Sequence, residues 1–212
     1  TAWAFAEELT LQEWRQWVDV LQARGLNSFL GCIWLAKYDR VGYAFRDRNP
    51  RTDDLLLEYF QRLDQMVQYA NDHGIMMGLT IGGFPDNSFD RRFNPDFPVG
   101  TWYDNFGTQD RQDRWFRYCV ARYAAYNVRW VLHGEVDEVA KTPWGETWQQ
   151  VVARHAQLVK AEDPYDHPIG SHHRSVDTSG VSDPNIDYIE VQAGRTETQF
   201  ANALSYRQWG KP

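Results

Sequence analysis

The sequence predicts an α/β fold, a partial (β/α)8 barrel of the TIM type, and three observations support this prediction. Amphipathic helical segments alternate with short apolar segments, which is typical of parallel β-α-β units. The connections after the apolar segments are long, whereas those after the helices are only a few residues, as in folds that carry function at the carboxyl ends of their strands. No glycine-rich phosphate-binding motif follows any predicted strand, which favours the barrel over a nucleotide-binding sheet.

The first predicted unit is a helix that begins after Thr10. Apolar residues recur at helical spacing over residues 11–21, Thr10 and Glu13 form a capping-box pair, and Gly25 lies where a helix commonly ends. A nearly continuous apolar segment at residues 28–35 follows, and it is typical of a strand buried on both faces. The order of helix and then buried strand sets the pattern for the rest of the chain.

The same unit recurs along the remaining sequence. The predicted elements are the helix 56–70 with the strand 75–81, the helix 108–123 with the strand 128–132, the helix 148–159 with the strand 167–172, a last strand at 186–192 and a helical tail at 197–206. Five strands are predicted where a closed barrel has eight, and an open sheet would leave unpaired edges. We therefore expect residues 1–212 to form one partial domain, completed by a missing portion of the same domain or by another chain.

Composition argues against several classes of partner. The chain has 22 Lys and Arg against 29 Asp and Glu, and this net charge of −7 argues against binding to a nucleic-acid backbone. It has no apolar stretch of about 18 residues, so no membrane partner is predicted. Cys32 and Cys119 lie in apolar segments and are interpreted as core residues, and no metal or other cofactor is predicted. The aromatic fraction of 15% suits both a large core and the stacking of sugar rings.

One carboxylate is predicted to end a strand. The strand at residues 128–132 continues into a His-Gly-Glu sequence, and strict alternation would place His133 and Glu135 on the same face. Barrel enzymes keep catalytic groups at the carboxyl ends of strands, and an apolar, aromatic setting would raise the pKa of Glu135 and make it a proton donor near neutral pH. The alternative is a solvated loop acid, which is our interpretation of the neighbouring Asp137 and Glu138.

The segment from Tyr126 to Glu135 resembles a known glycosidase signature. It is similar to the fourth-strand signature of the large retaining-glycosidase clan, in which the acid/base glutamate ends that strand. It most closely resembles the apiosidase-like branch of bacterial (β/α)8 glycoside hydrolases, where glycine rather than asparagine precedes the glutamate. Four further segments are similar to that family: Thr1-Ala2-Trp3 at the end of its first strand, Arg24-Gly25-Leu26-Asn27 before its second, Glu162-Asp163-Pro164-Tyr165-Asp166-His167-Pro168 before its fifth, and Gln192-Ala193-Gly194 at the end of its sixth.

The resemblance implies a function as well as a fold. It implies a glycoside hydrolase that cleaves a bond of a plant or bacterial polysaccharide by retaining double displacement, with Glu135 as general acid/base and an oligosaccharide or polysaccharide as substrate. If this resemblance holds, the sequence lacks the body of the first strand and strands seven and eight. The family's nucleophile ends the seventh strand, so no residue here matches it. The resemblance also slightly favours a secreted or periplasmic location.

Polar residues at other strand ends are candidates for substrate binding. Asp39 follows the second strand and would hydrogen-bond sugar hydroxyls, although a lone loop aspartate is often solvated or a local cap. His133 would orient Glu135 or bind a hydroxyl, and the alternative is a hydrogen-bonded core histidine. Gln192 lies where the family resemblance places the end of the sixth strand, and it is a candidate ligand for a sugar hydroxyl.

Two aromatic rings complete the set of candidates. Only one of His172 and His173 can face inward from a strand, and we favour His172 as the substrate-binding one. Trp3 lies in a family-like segment, where its ring would stack on a sugar. Glu190 is the other strand carboxylate, and we interpret it as a structural acid bonded to a neighbouring strand.

Other functions remain open at the level of sequence. A metal-dependent hydrolase would use His133 and Glu135 with His172 or His173 as ligands converging from adjacent strands. Lys37, at the end of the second strand, could form a Schiff base, although a surface lysine is the simpler interpretation. A catalytically incomplete barrel that binds carbohydrate or has a structural role would also fit, because no nucleophile is matched.

Overall fold

The computed structural model describes residues 2–34, 40–83, 102–138, 141–173 and 183–191. The strands are β1 Ser28–Cys32, β2 Met76–Thr80, β3 Val128–Val131, β4 Ile169–His173 and β5 Tyr188–Val191, and the α-helices are α1 Phe5–Glu8, α2 Leu11–Ala23, α3 Leu57–Asp72, α4 Trp102–Phe106, α5 Gln109–Tyr123 and α6 Trp148–Glu162. The sheet order is β1-β2-β3-β4-β5, and every neighbouring pair is parallel. The predicted α/β class is therefore confirmed. None of the described helices is long and apolar enough to cross a membrane.

The predicted elements that fall within the described residues are present, and their strands are shorter than predicted. Thr10 and Glu13 make the predicted capping box at the start of α2, and Gly25 follows the helix with a φ of 70°. The strand predicted at residues 28–35 ends at Cys32. The predicted helical tail at residues 197–206 lies outside the described residues. Helical periodicity therefore located α2, α3, α5 and α6 but not the short helices α1 and α4, and apolar runs overestimated the strands.

The first described residues form helical turns. Ala2–Ala4 is a 3-10 turn beside β1, and α1 follows it directly. The Phe5 ring lies so close to Gly31 that a β-carbon there would stand 2.5 Å from it, so glycine is needed for this packing. The resemblance of Thr1-Ala2-Trp3 to the end of a strand is thus not matched by strand structure in Ala2 and Trp3.

The main core lies between the sheet and the helices and explains much of the aromatic content. The indole N–H of Trp14 donates to the carbonyl of Met66 at 2.8 Å, and that of Trp115 donates to Ile81 at 2.9 Å. Because the polar atom of each ring is satisfied, burial of these large side chains is strongly favourable. Cys119 is fully buried in the same core, as predicted, and its burial raises the pKa of the thiol well above the usual value.

The segment between α6 and β4 is organised by one buried carboxylate. Asp163 accepts hydrogen bonds from the Trp130 indole at 2.8 Å and from the backbone N–H groups of Tyr165 and His167 at 3.0 and 3.1 Å. It also bonds Nδ1 of His167 at 2.9 Å. Burial raises the pKa of this carboxyl, but the hydrogen bonds together outweigh burial and lower it. Asp163 therefore ties the start of β4 to β3.

The opposite face of the sheet carries a smaller set of side chains. Cys32 is buried there with Ala4, and the partly buried Trp3 packs against them. His172 and Glu190 also lie on this side, because they alternate with residues that face the helices. We call this side of the sheet the inner face.

Candidate active site

Glu135 lies just beyond the carboxyl end of β3. Its neighbours Gly134 and Val136 are buried, whereas Glu135 itself is partly exposed. Its φ is 47°, in the left-handed region that residues with a side chain rarely adopt. Such a conformation costs about 1–2 kcal/mol and persists where the surrounding structure enforces it, as it does at many active sites.

His133 does not share the face expected for it. The ring is fully buried in the helix layer, with its Nε2 2.7 Å from Nδ1 of His155 and its centroid 5.2 Å from that of Phe116. The alternation argument was wrong here because β3 ends at Val131, and period two holds only within an extended strand. The geometry supports the core interpretation of His133 over direct contact with a substrate.

The metal-dependent alternative required His133 to converge with Glu135 and His172, and this geometry does not provide that. The His133 ring is directed towards α5 and α6, whereas His172 lies on the inner face. No group of three or more His, Cys, Asp or Glu residues in the described part of the chain is arranged to hold a metal ion.

Sequence reasoning missed a cluster behind His133. His155 is fully buried and stacks on Phe116 with ring centroids 3.7 Å apart. Arg154 reaches Nε2 of His155 at 2.9 Å. The helical spacing could have located His155, because it lies three and four residues after the buried Val152 and Val151 and so on the core face of α6.

His172 and His173 lie on opposite faces of β4. The ring of His172 meets Trp3 edge-on at 5.2 Å, on the inner face. His173 bonds Ser171 at 2.9 Å and packs against Trp148 of α6. The structure thus brings two of the substrate-binding candidates, Trp3 and His172, into contact.

Glu190 is engaged within the inner face. Its Oε1 accepts a hydrogen bond of 2.5 Å from Arg129 on β3, and its Oε2 lies 3.8 Å from Nδ1 of His172. The Arg129 guanidinium lies 5.0 Å from the centre of the Tyr188 ring. A β-carbon at Gly170 on β4 would stand 2.3 Å from that ring, so glycine at this position leaves room for the Tyr188 side chain. The arrangement agrees with the interpretation of Glu190 as a structural acid.

Some of the predicted positions fall outside the described residues. Asp39, Gln192 and Lys37 are among them. The candidate site within the described residues is therefore Glu135 at the end of β3, with Trp3 and His172 on the inner face.

Comparison with known proteins supports the fold and the family. The sequence model of the apiosidase-like catalytic domain matches residues 1–210. No curated protein sequence matches the chain. A solved glycoside hydrolase aligns over 92% of this chain and 41% of its own length, with a TM-score of 0.70 and 17% identity.

Two further solved structures extend this likeness. A glycoside hydrolase family 5 protein from Bacteroides vulgatus gives a TM-score of 0.69 at 17% identity, over 92% of this chain and 40% of its own. An endo-β-1,4-mannanase from Thermotoga petrophila gives 0.66 at 12% identity, over 99% of this chain and 58% of its own. The predicted partial (β/α)8 type is confirmed, and the chain spans less than half the length of the first two structures.

Proposed function

This chain belongs to the apiosidase-like catalytic domain family, and from that premise we propose that its protein is a retaining glycoside hydrolase acting on a plant or bacterial polysaccharide. Glu135 is its general acid/base. The observation that carries the proposal is the placement of Glu135, a strained and partly exposed carboxylate at the carboxyl end of a barrel strand.

In the first step Glu135 donates its proton to the glycosidic oxygen while a second carboxylate attacks the anomeric carbon. The bond to the leaving group breaks, the aglycone departs as an alcohol, and a glycosyl ester forms on the enzyme. In the second step the Glu135 carboxylate removes a proton from water, which attacks the same carbon and releases the sugar. The net reaction consumes one water for each bond cleaved.

The second carboxylate is separate from Glu190. A retaining nucleophile stands about 5–5.5 Å from the acid/base and has an oxygen available to attack carbon. In Glu190, the Oε1 atom is engaged by Arg129 and both side chains are largely buried, so we assign it a structural role. The family resemblance assigns the nucleophile to the seventh strand, which would complete the site.

Trp3 and His172 would bind the sugar beside this centre. The indole offers an apolar surface to the C–H face of a sugar ring, and an imidazole can donate to or accept from a hydroxyl. Their edge-on contact at 5.2 Å makes them one surface. Asp39 and Gln192 are proposed to add hydroxyl contacts from the neighbouring strand ends.

A second candidate function is carbohydrate binding without turnover. Retaining catalysis needs two carboxylates, and Glu190, the other strand carboxylate, is paired with Arg129, which favours this alternative. This alternative predicts affinity for oligosaccharides and no hydrolysis.

Turnover of a panel of aryl glycosides by the wild type, Glu135→Gln and Asp137→Asn tests the proposal, with the intact mass of the protein measured beside it. Glu135→Gln should lower turnover of phenyl glycosides by about 10²- to 10⁴-fold, because their leaving group needs a proton. Dinitrophenyl glycosides should suffer less in the first step. Asp137→Asn, two residues further along the chain than Glu135, should match the wild type. A wild type that binds oligosaccharides but hydrolyses none of the panel would support the binding function instead.

A further inference from the structure

A buried chain of hydrogen bonds runs from Arg154 to the end of β3. The guanidinium of Arg154 donates to Glu146 at 2.8 and 2.9 Å, to Gln112 at 3.1 Å and to Asp113. The same group lies 2.9 Å from Nε2 of His155. Arg154 is thus held by α5 and by the segment before α6 while it contacts the histidine.

The chemistry of Arg154 sets the tautomers of both histidines. A guanidinium is always protonated and has no acceptor, so Nε2 of His155 must accept from it. This nitrogen is closer to Arg154 than to Asp113, whose oxygen lies 3.4 Å away. Nδ1 of His155 therefore carries the hydrogen and donates to Nε2 of His133 at 2.7 Å, which leaves the hydrogen of His133 on Nδ1.

Burial keeps this pair neutral. Burial is the largest cause that lowers the pKa of both histidines well below the usual value, and the nearby Arg154 charge acts in the same direction. Two neutral rings with fixed hydrogens form one defined hydrogen bond in place of several interchanging ones. The position of the His133 ring is therefore defined by hydrogen bonding as well as by its contact with Phe116.

The backbone of Glu135 is held on both sides by buried residues. His133 is two residues before it, and Val136, fully buried in the main core, follows it directly. The turn from Val136 to Glu138 packs against α6, the helix that carries His155. A left-handed glutamate persists only when its surroundings over-determine its backbone, and these buried residues do so on both sides.

We propose that Arg154 and His155 are positioning residues, which hold His133 and through it keep Glu135 in the conformation required for proton transfer. This inference rests on the proposed role of Glu135. The two residues act behind the site and need not touch the substrate.

The test is the dependence of kcat on the leaving group in Arg154→Met and Arg154→Lys. A misplaced acid should slow phenyl glycosides by about tenfold to a hundredfold with KM unchanged. Dinitrophenyl glycosides, which need no proton at the leaving group, should change by about twofold or less. The lysine variant keeps the charge and serves if the methionine variant does not fold.

The matched control is Arg122→Met. Arg122 is also a partly buried arginine on a helix, bonded to both carboxylate oxygens of Asp64 at 2.6 and 2.8 Å. Its loss should lower stability and slow all glycosides by the same factor. Nitrogen chemical shifts of the histidine rings provide a second measurement, with the hydrogen on Nδ1 of His133 and His155 in the wild type.

The outcomes separate this inference from the proposed function. If Glu135→Gln steepens the leaving-group dependence and the Arg154 variants behave like Arg122→Met, the positioning role is wrong and the function stands. If the ring hydrogens lie on Nε2, the tautomer argument is wrong. If the wild type is inert or Glu135→Gln has no effect, the function fails, and the positioning role fails with it.

Discussion

Asp163→Asn should be strongly destabilising, although it only replaces one carboxylate oxygen with an NH2 group. Three hydrogen bonds, from Trp130 and from two atoms of His167, go to one carboxylate oxygen, and the bond from the Tyr165 N–H goes to the other. An asparagine can keep the first three only by turning its NH2 group towards the Tyr165 N–H, which sets two donors against each other. An unsatisfied buried donor costs about 1–3 kcal/mol, and loss of the charge weakens the remaining bonds. We expect a loss of about 2–4 kcal/mol.

Urea denaturation and thermal unfolding measure this loss, which corresponds to a decrease in Tm of roughly 5–10 °C for a chain of this size. Asp166→Asn is the matched control, because Asp166 has a side chain that is 73% exposed and forms a surface ion pair with Lys160. Its φ of 58° suits asparagine as well as aspartate, so we expect a change within about 0.5 kcal/mol. Equal effects of the two substitutions would refute the assignment of Asp163 as the organising group.

Three further predictions follow from the geometry. Glu135→Gly should raise the free energy of unfolding by about 0.5–1 kcal/mol while it removes turnover, because glycine adopts a φ of 47° without strain; a loss of stability in urea denaturation would contradict the strain. Gly170→Ala should destabilise by about 1–3 kcal/mol in thermal unfolding, because the new β-carbon meets the Tyr188 ring, and a neutral result would contradict this packing. The pKa values of His133 and His155 are lowered in the fold, so the unfolded chain binds more protons below about pH 6.5 and stability should fall from pH 7 to pH 5, by at most about 1.4 kcal/mol per pH unit for each histidine. In His155→Gln, urea denaturation should show a smaller fall of stability per pH unit than in the wild type. Equal falls would overturn the assignment of this pH dependence to the buried histidines.

The architecture was predictable because its signals are local. The apolar spacing of α2 and its capping box at Thr10 and Glu13 depend on residues within a few turns. The strands were predicted too long because an apolar run does not show where the hydrogen bonds to the next strand stop. β1 ends at Cys32 while its apolar sequence continues through Ile33 and Trp34.

The candidate site was only partly predictable, because alternation along a strand assigns side chains to faces only within the strand itself. Alternation separated His172 from His173 because both lie within β4. The same rule misplaced His133 because it follows the last residue of β3. The hydrogen bond between His133 and His155 joins a strand end to a helix 22 residues further along, so no local sequence pattern predicts it.

The inner-face ion pair bears directly on how the two carboxylate roles divide. A general acid must hold its proton until the leaving group needs it, and a retaining nucleophile must be ionised at the same moment. Glu190 is paired with Arg129 at 2.5 Å on the inner face, which favours a structural role for it over either catalytic role. In the proposed mechanism, the proton affinity of Glu135 follows the charge of the attacking carboxylate. It would rise while that carboxylate is charged and fall once the glycosyl ester has formed, and this change would convert the same residue from acid to base between the two steps.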